Sequence, residues 1–151
     1  MSFVINIHAL VMDTAMTKPE TTKTKFLREY SINASPRLLY PYLSTPAGLA
    51  RWFAEDVNVL SNQVYNFIWD KEDHFAEIAS QRANRSVRFV FLDENKLPVP
   101  DADYVDFTIE TSELTGEQFL RVTDYTADHD EEEMEELWEN LIFSLREIIG
   151  G

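Results

Sequence analysis

The sequence has no cysteine, and this absence excludes several kinds of chemistry at once. Without thiols the chain forms no disulfide, carries no thiolate nucleophile and offers no thiolate metal ligand. Glycine is also scarce, with four residues in 151, and the chain has neither a glycine-rich phosphate-binding loop nor a dinucleotide-binding fingerprint. We therefore expect the protein to use no cofactor.

Basic residues are also scarce. The chain has 13 Lys and Arg but 27 Asp and Glu, which gives a formal net charge of −14. Such a chain repels nucleic-acid phosphates and anionic lipid head groups, so we expect neither as a partner. The apolar start is too short to span a bilayer, and no basic residue precedes Lys18, which argues against a signal peptide. The composition thus favours a cytoplasmic protein without a membrane span.

Groups suited to acid–base catalysis are few. Of the three histidines, His74 follows Asp73 directly, and neighbouring residues on a strand point to opposite faces, so Asp73 is poorly placed to orient His74. Catalysis would need His74 or Glu77 directed into a cavity. The acidic run 128–136 lies on a predicted helix, where consecutive carboxylates radiate outward and do not converge on a metal ion. We predict a protein that is not an enzyme and has no metal site.

The clearest positive signal is a long amphipathic helix over Asp130–Ile149. Asp130 and Glu133 have the spacing of a capping box, and Gly150 is placed to end the helix. The acidic face opposite the apolar stripe offers a docking surface for a basic protein partner. Apolar residues recur at the three-and-four spacing of one helical face: Met134, Leu137, Trp138, Leu141, Leu145, Ile148 and Ile149.

Upstream of this helix, the pattern alternates between short strands and turns. Ser35-Pro36 and Thr45-Pro46 each have the form of a helix start with proline in the first turn, so two short helices should follow the first strand. The strands should form an antiparallel meander, and together with the helices they predict the α+β fold class. The predicted strands are 25–33, 56–60, 64–69, 74–80, 86–92, 104–112 and 118–125.

The chain divides into a short tail and one domain. Residues 1–24 change from an apolar to a polar composition and predict a flexible N-terminal tail, whereas residues 25–151 form the folded unit. Met12 and Met16 offer alternative translation starts. The apolar segment Phe3–Met12 could also pair with an exposed strand edge, which would make the protein a homodimer.

The segment NASPRLLYPYLSTPAGLARWFAEDV carries a resemblance to a known family. It looks like the pattern S-P-x-x-L-Y followed by T-P-x-G-L-x-x-W-F, found in the branch of the START-like, Bet v allergen-like (SRPBCC) superfamily related to activators of the heat-shock-protein ATPase. The residues that match are Ser35, Pro36, Leu39, Tyr40, Thr45, Pro46, Gly48, Leu49, Trp52 and Phe53.

The resemblance implies a helix-grip fold, in which a curved seven-stranded antiparallel sheet wraps around the long C-terminal helix. It also implies a cavity between sheet and helix for a small apolar ligand, such as a lipid or polyketide. In the alternative that it implies, the domain acts as a protein-interaction or co-chaperone-like module.

Bulky apolar residues are the candidates for lining that cavity, although the same residues could form a solid core. Arg88 or Arg121 would orient a polar end of the ligand if they pointed inward. The predicted ligand-binding set is Trp52, Phe53, Trp69, Phe75, Phe89, Phe91, Phe107, Phe119, Trp138, Leu141 and Leu145.

Overall fold

The structure is a computed structural model and describes residues 23–61 and 63–151. The predicted tail over 1–24, and with it the pairing segment Phe3–Met12, falls almost wholly outside these residues and stays a prediction. The described part contains seven strands and three helices. The strands are β1 (Thr24–Ser31), β2 (Asp56–Ser61), β3 (Val64–Trp69), β4 (Glu72–Arg82), β5 (Ser86–Phe91), β6 (Tyr104–Thr111) and β7 (Gln118–Thr126), and the helices are α1 (Pro36–Ser44), α2 (Pro46–Leu49) and α3 (Glu131–Ile149).

The seven strands form one curved antiparallel sheet in the order β1-β7-β6-β5-β4-β3-β2. Strands β2 to β7 follow one another as a meander, and β1 joins the far edge beside β7. This arrangement confirms the predicted α+β helix-grip class, with two short helices after the first strand and a long terminal helix. The strand boundaries agree with prediction to within two residues at every end, the difference expected where hydrogen bonding frays.

Local capping explains where each helix starts. The Ser35 side chain accepts a hydrogen bond from Leu38 N at the start of α1, and Thr45 Oγ1 accepts one from Gly48 N at 3.0 Å in α2. Before α3, the Asp130 carboxylate accepts from Glu133 N at 2.9 Å, and the Glu133 carboxylate accepts from Asp130 N at 2.9 Å. The predicted capping box is therefore confirmed.

Helix α3 packs its apolar stripe on the inner face of the sheet. Met134, Trp138 and Leu145 are buried, as is Ile142, which the predicted stripe omitted. Leu137, Leu141, Ile148 and Ile149 are half-buried against the same core. Ile142 belongs to the stripe because it lies four residues after Trp138 and so shares its face of the helix.

Ion pairs fasten α3 to the edge strand β1. The Arg28 guanidinium contacts Glu135 at 2.7 Å and Glu131 at 3.2 Å, two carboxylates one helical turn apart. These hydrogen bonds raise the pKa of Arg28, which therefore stays charged. Near the other end of α3, Arg146 Nε donates to Ser31 O at 3.1 Å. The helix is thus held against β1 at both of its ends.

Candidate ligand-binding site

The space between α3 and the sheet is filled by four aromatic rings. Trp52, Phe53, Phe107 and Trp138 are all in mutual contact, with ring centroids 5.5 to 6.3 Å apart. None of the four is more than 6% exposed. At these four positions the bulky residues predicted to line a cavity pack against one another as densely as in a protein interior, which is the solid core that the sequence also allowed.

The sheet register decides which of the predicted site residues share a face. Seven of them are buried on the inner side, and Phe91 and Leu141 are half-buried next to the same core. The seven buried residues are Trp52, Phe53, Trp69, Phe89, Phe107, Trp138 and Leu145.

Two predicted site residues are directed to the outer face. Phe119 pairs with Glu110 and Ser31, and Phe75 pairs with Asn66, all at positions that alternate with the buried ones. Neither residue belongs to the hydrophobic core, which is a correction to their assignment among the inner residues. The reason is that successive side chains of a strand point to opposite faces of the sheet, so a shift of one residue along the strand moves a side chain to the other face.

The two arginines considered as ligand partners also bond on the outer face. Arg88 Nε lies 3.0 Å from an Asp106 carboxylate oxygen, and its guanidinium stacks over the Tyr104 ring at 4.3 Å. Arg121 is bonded to Glu110. Both arginines are thus held away from the inner side of the sheet.

A cavity of about 200 Å³ opens at the end of the sheet, beside the segment that leads into α3. Its apolar wall includes Trp69 and Phe91, whose rings are 6.1 Å apart, and His74, whose ring is 5.3 Å from that of Trp69. Phe75 also borders it, at the start of β4. Two of the predicted site residues, Trp69 and Phe91, therefore meet at this cavity on the inner side of the sheet, whereas the Phe75 side chain is directed to the outer face.

A second hollow lies between the α2–β2 segment and α3. It measures about 240 Å³, is more open than the first, and is lined by Trp52, Phe53, Ala54, Glu55, Trp69 and Leu141. Trp69 borders both spaces, and its Nε1 donates to Phe53 O at 2.8 Å. The Trp69 indole thus separates two openings at the margin of the core.

Asp124 is the most unusual polar group of the first cavity. It lies on β7 and is 3% exposed, and its Oδ2 accepts a hydrogen bond from Trp138 Nε1 at 2.8 Å. Burial raises the pKa of Asp124 to about 7, against the smaller opposing effect of the Trp138 hydrogen bond. The negative charges of Asp103 and Asp128 raise this pKa further.

Sequence reasoning missed Asp124, although a signal was present. In β7, the residues Leu120, Val122 and Asp124 alternate onto one face, and the first two are buried. A carboxylate that continues an apolar period-two pattern is expected on the buried side. Such a group needs a partner, and Trp138 on the facing helix supplies it.

Of the two groups that catalysis would need in a cavity, His74 faces the end-of-sheet cavity and Glu77 does not. His74 lines the cavity on the inner side, with Nδ1 3.3 Å from Phe67 O, whereas Asp73 accepts a hydrogen bond from Asn66 on the outer side. Glu77 shares the outer face with Asp73. Asp73 therefore does not orient His74, as the sequence indicated. Among the residues that the structure describes, no cluster of three or more His, Asp or Glu side chains is arranged to hold a metal ion.

The fold and its end-of-sheet cavity define a class, an α+β domain in which a curved sheet grips a C-terminal helix. A family model for the START-like superfamily domain matches residues 20–151. The chain therefore belongs to the START-like superfamily, whose members are generally ligand-binding and not catalytic.

Solved structures agree with this assignment. The chain is similar to BfR322 from Bacteroides fragilis, with 36% identity over 85% of this chain and 93% of that one and a TM-score of 0.56. It shares its fold with the Aha1 dimer from Colwellia psychrerythraea, with 20% identity over 81% of this chain and 92% of that one and a TM-score of 0.63. It also shares its fold with MLL2253 from Mesorhizobium loti, at 14% identity, 83% and 96% coverage and a TM-score of 0.64.

A comparison with curated proteins finds no match. Within the described part of the chain, no helix combines the length and hydropathy that crossing a membrane requires.

Proposed function

We propose that this domain binds a small, largely apolar ligand, without chemistry, in the cavity at the end of the sheet. The observation that carries the proposal is the aromatic wall of Trp69 and Phe91 around a space of about 200 Å³. A cavity of about 150 Å³ already accommodates benzene, so this space takes a ring with a short substituent. Members of the START-like superfamily generally bind ligands, and this supports the same function.

Burial of apolar surface supplies the affinity. Enclosure yields roughly 25 cal/mol for each Å² of apolar area removed from water, and the aromatic wall adds ring contacts. Because Trp69 and Phe91 are already held in the core cluster or against it, little side-chain entropy is lost when a ligand enters.

Filling the cavity tests this proposal. We expect His74→Trp, which adds a large ring on the inner side of β4, to abolish the binding of small aromatic fragments measured by ligand-observed NMR. The matched control is Glu77→Trp, which adds the same ring to the same strand on the outer face and should leave binding unchanged. Equal binding by both variants, each shown to be folded by circular dichroism, would refute the assignment of the site to this cavity.

An exposed aromatic residue supports a second candidate, a protein-interaction module. Phe143 is 65% exposed on the outer face of α3, and Glu136, Glu139 and Glu147 lie one or two turns away on that face. An apolar anchor ringed by carboxylates suits a basic partner, as in the co-chaperone-like alternative.

This second candidate has a distinct test. We expect Phe143→Ser to weaken retention of a purified basic partner protein on the immobilised domain, and added salt to weaken it further. Leu114, which is 95% exposed in the β6–β7 turn, provides the control through Leu114→Ser. Retention unaffected by Phe143→Ser would exclude this face of α3 as the docking surface.

A further inference from the structure

The charged side chains among the described lining residues of the end-of-sheet cavity are acidic. Six carboxylate residues line it, and none of its described lining residues is a lysine or arginine. The six are Asp73, Asp93, Glu94, Asp103, Asp124 and Asp128, of which Asp73 has its carboxylate bonded to Asn66 on the outer face of the sheet. A cavity with an aromatic wall and an anionic lining does not suit a purely apolar ligand or an anionic one.

The carboxylates differ in how far their bonding capacity is already used. Asp93 Oδ1 accepts from Asn95 N and Leu97 N and so stabilises its own turn. Asp103 is bonded through Oδ1 to Lys23 Nζ at 2.8 Å and through Oδ2 to Thr126 Oγ1 at 3.2 Å. These two groups have structural partners within the described residues.

Asp124 has a different environment. One oxygen accepts from Trp138 Nε1, and the residue lies against the cavity while being 97% removed from solvent. A carboxylate oxygen accepts more than one hydrogen bond, so Asp124 retains the capacity to receive a donor from a ligand. A buried carboxylate without a cation is costly, and a cationic ligand would offset that cost.

We propose that the cavity selects a small ligand carrying a protonated amine on a flat apolar group, with the ammonium directed to Asp124 and the apolar group against Trp69 and Phe91. This inference rests on the proposed ligand-binding function and names the chemical class of its ligand.

An organic cation fits this lining better than a metal ion. The described residues contain no arrangement of three ligating side chains around one point, and Trp69 and Phe91 occupy part of the wall that a metal would need for oxygen ligands. An alkylammonium group needs fewer oxygen partners, because it has three donors and an apolar stem.

Three probes of similar size separate the two proposals: phenethylamine, phenethyl alcohol and phenylpropionate. We expect phenethylamine to shift the Trp69 and Trp138 indole NH signals in a ¹H–¹⁵N spectrum, and to bind about tenfold to a hundredfold more tightly than the alcohol, the range of a hydrogen bond to a charged group. Phenylpropionate should bind least.

The matched variant is Asp124→Asn, which keeps an acceptor for Trp138 Nε1 and removes the charge. It should reduce phenethylamine affinity to that of the alcohol while leaving alcohol affinity unchanged. The control is Glu113→Gln, which alters net charge equally in the β6–β7 turn at the opposite end of those strands and should change neither.

The outcomes distinguish the two proposals. Equal binding of amine and alcohol to the wild-type protein would overturn the selection for a cation while leaving ligand binding in place. Absence of binding by all three probes would overturn both. Amine binding should also strengthen as pH rises through about 7, because the Asp124 carboxyl then loses its proton.

Discussion

Asp124 links the core to the candidate site at the scale of a single residue. Its carboxylate bonds the indole of Trp138 in the middle of α3, and its other side faces the cavity. Removing the indole NH would leave a buried acceptor without its donor, which typically costs about 1–3 kcal/mol. The same contact therefore holds the helix on the sheet and fixes the position of the charge.

The raised pKa of Asp124 predicts a specific pH dependence of stability. The pKa is about 7 in the folded protein and 3.8 in its ordinary state, so the folded form binds the proton more tightly. The stability that Asp124 contributes is then fully present below about pH 4 and is lost as pH rises through about 7. The negative charges of Asp103, just before β6, and of Asp128, before α3, raise the pKa of Asp124 in the same direction.

We expect Asp124→Asn to make the protein more stable than wild type at about pH 8, by an amount on the order of 1–3 kcal/mol, because a neutral amide replaces a buried charge. The advantage should shrink as pH falls towards about 5. Urea unfolding at several pH values measures the difference. A constant difference between the two proteins across that range would show that Asp124 titrates as it does in the unfolded chain.

At the scale of elements, the junction between α1 and α2 depends on a close backbone approach. A Cβ atom on Gly48 would lie 2.2 Å from Pro41 O and 2.7 Å from Tyr42 Cα. Trp52 is fixed by the same junction, since its Nε1 donates to Tyr42 O at 2.8 Å. The glycine in the T-P-x-G-L pattern thus allows α2 to turn tightly and place Trp52 and Phe53 in the core.

We expect Gly48→Ala to destabilise the fold by about 3 kcal/mol or more, the upper end for overpacking, because the obstructing atoms belong to backbone. The adjacent Ala47→Gly, at an exposed helical position, should cost about 1 kcal/mol at most. Chemical denaturation of the two variants provides the comparison. A Gly48→Ala protein as stable as the control would mean that α1 and α2 can separate without loss.

At the scale of the whole molecule, a single inner face carries both the packed core and the candidate site. The sheet supplies buried aromatic residues from β3, β5 and β6, and α2 and α3 close over them. These rings interlock beneath α3, and the two hollows beside the core lie where the elements diverge, at the end of β3, β4 and β7 and beside Leu141. The candidate site therefore lies at the margin of the core and not inside it.

The strong acidity of the chain also belongs to this scale. Carboxylates on α3 meet Arg28 at the edge of the sheet, whereas those of the end-of-sheet cavity surround a space. The net charge of −14 argues from composition alone against phosphate-rich partners. The placement of the carboxylates around an aromatic wall is what points to a cationic ligand.

The sequence by itself determined the elements and their order. Proline-capped starts, the capping box at Asp130 and Glu133, and the period-two strands are local patterns, since each depends on residues a few positions apart. The resemblance to the START-like superfamily supplied the arrangement of these elements, and the match over residues 20–151 confirms it.

Only the tertiary structure decided how the aromatic residues are used. Whether Trp52, Phe107 and Trp138 enclose a cavity or fill one depends on sheet curvature and on the depth at which α3 lies, which no local pattern encodes. Likewise, Phe119 faces outward because of pairing register, and Asp124 meets Trp138 across 14 residues of chain. These contacts join distant segments, so their energies are set by packing and not by the sequence around each residue.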